Sequence, residues 1–190
     1  MAGFGTSRTR RHEPPMPEPL AFFLTWPTYG TWLPGDERGW NQRGRGPQPP
    51  DPIRKMEAQA RMTEHACILD EEQRRLVEAT IAEHCKLRGW ELHAVNCRSN
   101  HVHVVVTADR DPRTVRNQLK AWCSRRLKEL EERRRADPSL APRAGGLRQH
   151  WWTERGSHRY LGDNDSLEAA IHCQRRTMKR APDVRGIHFS

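Results

Sequence analysis

The sequence predicts an α+β fold: a ferredoxin-like β-α-β-β-α-β antiparallel sheet with an additional C-terminal helix. The apolar and aromatic run Leu20–Trp26 is bounded by prolines and indicates a buried strand. Two further strand-like runs, Trp90–Val95 and His101–Thr107, are joined by a short polar segment, as in a hairpin. One helical pattern precedes this hairpin and another follows it, which is the order that the ferredoxin-like connectivity requires.

Both of these helices carry start signals in the sequence. The first spans residues 70–89, opens with acidic residues and stops at Gly89. The second begins at Asp111 and Pro112, with proline in its first turn. Each has one apolar face at helical spacing. The predicted packing positions are Val77, Ile81, His84 and Cys85 on the first helix, and Val115, Leu119, Trp122, Leu127 and Leu130 on the second.

A last strand and a third helix complete the predicted order. Extended runs at 151–153 and 157–161 lie on either side of a short turn and supply the strand. Asp165 resembles an N-cap, so the third helix is expected to begin near Ser166. We expect two helices to cover one face of the sheet and to leave the other face available for a site.

A chain of 190 residues suits one domain, since domains commonly run roughly 100–200 residues. We place that domain at 18–172, with a long loop at 34–60 that is rich in Pro and Gly. Residues 1–17 form a basic, Pro-rich tail in this prediction, and 173–190 form a divergent C-terminal segment. The five cysteines include no Cys-x-x-Cys pair, which predicts reduced and mostly buried thiols.

The charge balance favours a polyanionic partner. Lys and Arg number 33 against 24 Asp and Glu, a formal charge of +9. Charge sign alone does not separate nucleic acid from an acidic membrane. Because no apolar run reaches the ~20 residues that a membrane span needs, we expect a cytoplasmic protein with no membrane partner.

The residues with the clearest chemistry are His101 and His103. Side chains alternate between the faces of a strand, so the two imidazoles share one face while the valines between and after them face the core. Two such imidazoles, about 7 Å apart along the strand, can converge on one divalent ion. Histidines on an exposed sheet face are also common without any ligand, and the pair alone does not decide between these readings.

Three segments in this order resemble a known family. Leu24–Gly35, Asn100–Val106 and Trp151–Leu161 are similar to segments of the HUH-type single-tyrosine transposases of insertion sequences and of the REP-associated tyrosine transposases. The resemblance covers residues 20–172 approximately. It implies a ferredoxin-like fold in which His101 and His103 hold Mg²⁺ or Mn²⁺ against the scissile phosphate. A tyrosine on the terminal helix would attack that phosphate, form a 5′-phosphotyrosine link and free a 3′-hydroxyl that can later reverse the step.

The chain departs from this family at the nucleophile. The family carries tyrosine in an Ala-Ile-x-Tyr arrangement, and Cys173 stands at that position here. Gln174 is expected to point to a different face of the helix from a ligand one turn after the tyrosine. The chain has two tyrosines, Tyr29 and Tyr160; structural roles are expected for both, with Tyr160 as the alternative nucleophile.

The resemblance also implies single-stranded or hairpin DNA as the partner and allows a homodimer. Basic and aromatic residues could supply phosphate contacts and base stacking. Solvation is equally open for the charges, and core packing is the more expected role of at least one tryptophan. The candidate DNA contacts are Arg113, Arg116, Lys120, Arg125, Trp151 and Trp152.

Three functions remain open from the sequence. The first is a transposase-type strand transferase of impaired activity, and the second is a DNA-binding protein without catalysis that descends from one. The third is a phosphate- or RNA-binding ferredoxin-like module, which leaves His101 and His103 unexplained.

Overall fold

The computed structural model of the protein describes residues 19–42, 44–137, 139 and 146–178. The predicted tail at 1–17 and most of the predicted segment at 173–190 lie outside the described residues. The strands and helices follow in the order β1 (Ala21–Pro27), β2 (Trp40–Gln42), β3 (Gly46–Gln48), α1 (Pro52–Ala60), α2 (Glu71–Arg88), β4 (Glu91–Cys97), β5 (His101–Thr107), α3 (Pro112–Ala136), β6 (Ser157–Leu161) and α4 (Asn164–Met178).

The main sheet has four strands in the order β4-β5-β1-β6, and every neighbouring pair is antiparallel. Numbered along the chain within this sheet, the strands lie in the order 2-3-1-4, as in a ferredoxin-like sandwich. The predicted fold class is confirmed. None of the described helices combines the length and apolar character needed to cross a membrane.

The helices lie on both faces of this sheet. α2 and α3 pack against each other and bury Val102, Val104 and Val106 of β5 beneath them, together with Leu24 and Trp26 of β1. α4 covers part of the opposite face, where a smaller apolar cluster contains Ala21, Val105, Leu161 and Ala170. The face that we expected to be left available is therefore partly covered by α4.

The predicted ends of α2 are confirmed. The side chain of Asp70 accepts a hydrogen bond from the backbone N–H of Gln73, and the Gln73 side chain accepts from the backbone N–H of Asp70. Gly89 ends the helix with a φ of 68°, a left-handed conformation that glycine adopts without a Cβ penalty. All four predicted packing residues of α2 are buried.

On α3 one predicted packing residue is wrong. Trp122 is 39% exposed, and Cys123 is fully buried in its place. The packed positions Val115, Leu119, Cys123 and Leu127 recur every four residues, close to the helical period of 3.6, so a residue at 122 falls at the edge of the apolar face.

The prediction of an irregular loop at 34–60 is also wrong, because this stretch contains the β2–β3 hairpin and α1. Asp51 caps α1 by accepting a hydrogen bond from the backbone N–H of Arg54, and Pro52 occupies the first turn. A Cβ on Gly35 would lie 2.2 Å from the carbonyl oxygen of Asp51, so this glycine lets the chain pack against the start of α1. Strands of three residues are too short to show an alternating pattern.

α4 begins earlier than predicted. Its first residue is Asn164, and the Oδ1 atom of Asp163 accepts a hydrogen bond of 2.7 Å from the backbone N–H of Ser166. Asp163 therefore takes the capping role that the sequence suggested for Asp165.

Candidate metal centre and nucleic-acid interface

His101 and His103 lie side by side on the face of the sheet that α4 partly covers. Their ring centroids are 4.6 Å apart with an interplanar angle of 70°. Val102 and Val104, which alternate with them along β5, are fully buried on the opposite face. The predicted orientation of the pair is confirmed.

The hydrogen bonds of both imidazoles use Nδ1. In His103 this atom is 2.8 Å from the Oγ1 atom of Thr25, its cross-strand neighbour on β1. In His101 it lies 2.7 Å from the Oδ1 atom of Asn100, to which it donates. Phe23 stacks on His103 with the ring centroids 5.4 Å apart. Each ring is thereby oriented so that Nε2 is the nitrogen it can offer to a ligand.

Burial keeps both rings neutral near pH 7. It is the main cause that lowers the pKa of His103, to about 4, and the neighbouring His101 and Arg98 lower it further. The pKa of His101 is lowered by burial and then by the charges of Arg98 and Arg38. Neutral imidazole is the form that binds metal ions, so the site is poised for a cation without first losing protons.

An amide side chain that the sequence analysis did not single out, that of Asn96, lies opposite His103 and contacts α4. Asn96 is the cross-strand neighbour of His103 on β4, and its Nδ2 atom donates to the backbone carbonyl of Gln174 on α4 at 3.3 Å. Both residues are 4% exposed. Gln174 is buried because the buried face of α4 runs through Ala170 and repeats four residues later at Gln174.

The side chains at this site can supply some, but not all, of the ligands of a divalent ion. Two neutral imidazoles with anchored Nδ1 atoms suit several first-row metals, and amide oxygens suit harder ions. Among the residues that the structure describes, no group of three or more His, Cys, Asp or Glu side chains could hold a metal. An ion bound here would therefore complete its shell with amide, water or phosphate oxygens.

Comparison with known proteins finds a family whose sequence model matches the central part of the chain. Residues 60–144 match the sequence model of the family described as "Transposase IS200 like". This central part of the chain is therefore similar to the IS200-like transposases. The match includes α2, β4, β5 and α3 with both site histidines, whereas β1, β6 and α4 lie outside it. No curated protein sequence matches the chain.

Solved structures with similar coordinates include two transposases. A candidate transposase from Deinococcus radiodurans R1 is 13% identical, with 93% of this chain and 100% of that chain covered and a TM-score of 0.44. A REP-associated tyrosine transposase bound to a REP hairpin is 11% identical, with 87% of this chain and 68% of that chain covered and a TM-score of 0.45.

Tyr160 does not lie on the side of the sheet that carries the histidine pair. Tyr160 is the cross-strand neighbour of Phe22, and the two rings meet edge to face at 5.6 Å on the α2–α3 side of the sheet. The suggestion that Tyr160 reaches the site is wrong, since the pair is on the opposite side. Cys173 is exposed, whereas the adjacent Gln174 and the preceding Ala170 form the buried face of α4.

The second tyrosine has a structural position, as expected. The Tyr29 hydroxyl accepts a hydrogen bond of 3.1 Å from the backbone N–H of Thr63, and its ring stacks on His150 at 5.2 Å. The hydrogen bonds from Thr63 are the main cause that lowers the pKa of Tyr29. Tyr29 thus joins the loop after β1 to the segment before α2.

Four of the six predicted DNA contacts instead make hydrogen bonds or packing contacts within the protein. Arg116 is 7% exposed and donates from Nη1 to the carbonyl oxygen of Gly156 at 2.7 Å. Lys120 donates from Nζ to the carbonyl oxygens of Thr153 and Glu154. Burial lowers the pKa of Lys120 to about 8. These two side chains tie the loop before β6 to α3, which local periodicity could not reveal.

The tryptophan pair is part of the core. Trp151 is 3% exposed and Trp152 is 9% exposed. The ring of Trp152 meets Trp26 edge to face at 6.2 Å, and its Nε1 atom donates to Ser124 at 2.9 Å. The prediction that these indoles stack on bases is wrong, and core packing holds for both. Arg113 and Arg125 remain exposed, as a DNA contact requires.

Proposed function

We propose that the protein acts on single-stranded or hairpin DNA as a transposase-type protein, with Mg²⁺ or Mn²⁺ held by His101 and His103. The observation that carries this proposal is the pair of neutral imidazoles, 4.6 Å apart, whose Nδ1 atoms are anchored by Thr25 and Asn100. Their segment lies within the match to the IS200-like transposases.

In this proposal the histidines bind the ion, and nearby basic residues attract the DNA. His101 and His103 would supply two nitrogen ligands, and a bound ion would polarise a phosphoryl oxygen of the DNA. The positive charges of Arg98 and Arg38 act on His101 and favour the approach of a phosphate to the same place. The excess of basic residues over the whole chain adds attraction for the backbone that does not depend on sequence.

The position of Tyr160 favours a second candidate function, DNA binding without catalysis. Cleavage through a covalent phosphotyrosine needs a hydroxyl within reach of the phosphate at the metal. Tyr160 lies on the other side of the sheet, and the residue at the expected tyrosine position, Cys173, has no hydroxyl. We therefore propose that strand cleavage and rejoining by this chain are severely impaired, and that recognition of DNA persists.

Metal binding and strand cleavage can be tested separately. Isothermal titration with Mn²⁺ should detect one site in the unchanged protein and a large loss of affinity in His101→Ala and His103→Ala. His158→Ala is a matched control, because His158 is a half-buried histidine of the same sheet on the opposite face. An equal Mn²⁺ affinity in all four proteins would contradict the metal site.

A nicking assay on end-labelled, hairpin-containing single-stranded DNA with Mn²⁺ then separates the two candidate functions. Cleavage that is lost in His101→Ala and kept in His158→Ala would favour the strand transferase. Salt-sensitive binding of the hairpin without cleavage would favour the non-catalytic descendant. A protein that neither binds nor cuts such DNA would exclude both.

A further inference from the structure

Trp32 is an exposed aromatic residue in the segment that follows β1. Its side chain is 48% exposed, whereas most tryptophans of the described chain are buried or half-buried. A single exposed apolar residue is common on protein surfaces and needs no explanation by itself. The surroundings of Trp32 set it apart.

Trp32 is held in one orientation. Its Nε1 atom donates to the carbonyl oxygen of Gly39 at 2.8 Å, and the guanidinium of Arg38 lies 5.1 Å from the centre of its ring. Arg38 is fixed in turn, because it donates from Nη2 to the carbonyl oxygen of Thr31 at 2.8 Å and forms an ion pair of 2.6 Å with Asp36. Asp36 is 5% exposed. The indole and the guanidinium thus form a rigid, partly exposed surface.

The same segment is attached to the residue that precedes His101. The backbone N–H of Thr28 and the hydroxyl of Thr31 donate to the carbonyl oxygen of Asn100, at 2.8 Å and 3.1 Å. Asn100 also accepts the hydrogen bond from Nδ1 of His101. Trp32 and Arg38 are therefore connected to the histidine pair through Thr31 and Asn100.

We propose that Trp32 and Arg38 form a subsite that receives one unpaired nucleotide of single-stranded DNA beside the histidine pair. The base stacks on the exposed indole face, and the guanidinium attracts the phosphate that leads toward His101. Aromatic rings are general stacking platforms because every base has a π face, and a neighbouring Arg adds a cationic contact. This inference rests on the proposed binding of single-stranded DNA and adds the residues that position the strand.

The first test measures DNA binding without catalysis. Fluorescence anisotropy with a labelled oligothymidine in EDTA should show that Trp32→Ala weakens binding about tenfold. Trp32→Phe keeps an aromatic face and should recover most of that loss, whereas Trp32→Leu should not. Trp122→Ala is the matched control, because Trp122 is 39% exposed and its ring centre lies 5.7 Å from the guanidinium of Arg125. Its ring contacts His84 at a tilt of 38°, on the far side of the sheet.

A second measurement separates stacking from a structural effect. With an oligonucleotide of the same length that carries abasic sites, the difference between the unchanged protein and Trp32→Ala should shrink toward zero. Salt titration should show a slope about one unit smaller for Arg38→Gln and an unchanged slope for Trp32→Ala, because only Arg38 neutralises a phosphate. Equal affinities of Trp32→Ala and Trp122→Ala for oligothymidine would overturn the subsite while leaving the proposed function intact. An unchanged protein that binds no single-stranded DNA would overturn both.

Discussion

The Oγ1 atom of Thr25 and the Nδ1 atom of His103 lie 2.8 Å apart across the β1–β5 pair. This contact joins the two central strands of the sheet and fixes the rotation of the imidazole ring. Since Nδ1 is occupied by the threonine hydroxyl, the ring can offer Nε2 to an ion on the side of His101. A small polar residue on β1 thus orients a proposed ligand on β5.

Replacement of Thr25 by valine should weaken metal binding without unfolding the protein. Thr25→Val keeps the β-branched shape and removes the hydroxyl, and loss of such an outer contact typically costs about 10–100-fold in metal affinity. Isothermal titration with Mn²⁺ measures the effect. Thr107→Val is the matched control, since Thr107 makes the same kind of contact to Nε2 of His93 at 2.8 Å in the same sheet. Equal losses in both variants would show that Thr25 has no particular role.

The metal-free protein should lose stability as the pH falls from about 6.5 to about 4. Burial, with the charges of His101 and Arg98, lowers the pKa of His103 to about 4, so the unfolded chain binds a proton in this range that the folded chain excludes. The folded state is therefore favoured at higher pH, and the contribution is lost progressively below the unfolded pKa. We expect about 2 kcal/mol after allowance for partial exposure of the ring.

Urea unfolding in EDTA at several pH values measures this contribution. His103→Gln replaces the ring by a group that does not titrate, so its stability should decline less over the same pH range. His158→Gln, on the opposite face, should follow the unchanged protein. Parallel curves for the unchanged protein and His103→Gln would contradict the prediction.

Gly156 should not tolerate a side chain, because it packs against β1, the strand that carries Thr25. A Cβ at this position would lie 2.3 Å from the carbonyl oxygen of Thr25 and 2.9 Å from the Cβ of Trp26. Backbone atoms cannot move aside as a flexible side chain can, so we expect Gly156→Ala to cost about 1–3 kcal/mol. Thermal unfolding followed by circular dichroism tests this. Gly162→Ala is the control, because a Cβ there has nothing within 4 Å among the described residues; similar melting temperatures for the two variants would refute the close approach.

The sequence predicts the parts of the site that local periodicity determines. Alternation along β5 places His101 and His103 on one face, and the buried valines between them identify that face. The partner of His103 on β4 depends on a register shift between Leu92 and Ala94. This irregularity brings Asn96 opposite His103, where an uninterrupted register would bring it opposite Val102. A pattern confined to one strand contains no information about such a shift.

Long-range packing explains the remaining wrong predictions. Arg116 and Lys120 have the charge expected of a DNA-binding helix face, but the loop before β6 folds over them and uses their donors. Trp152 has the aromatic ring expected of a base-stacking platform, but it packs against Trp26 and donates a hydrogen bond to Ser124. In both cases the contact partner is distant along the chain.

Loss of charge at Arg116 should lower stability, whereas loss of charge at Arg113 should affect DNA binding, although the two residues are only three positions apart on α3. Arg116→Met leaves the carbonyl oxygen of Gly156 without its donor, and an unsatisfied buried group costs about 1–3 kcal/mol, so urea unfolding should show a clear loss of stability. Arg113→Gln removes an exposed charge and should change stability by less than about 0.5 kcal/mol. Its effect should appear instead in DNA binding, as a salt slope about one unit smaller if its side chain contacts a phosphate. Stability loss in Arg113→Gln equal to that in Arg116→Met would contradict this division of α3 into a basic outer face and a basic structural contact.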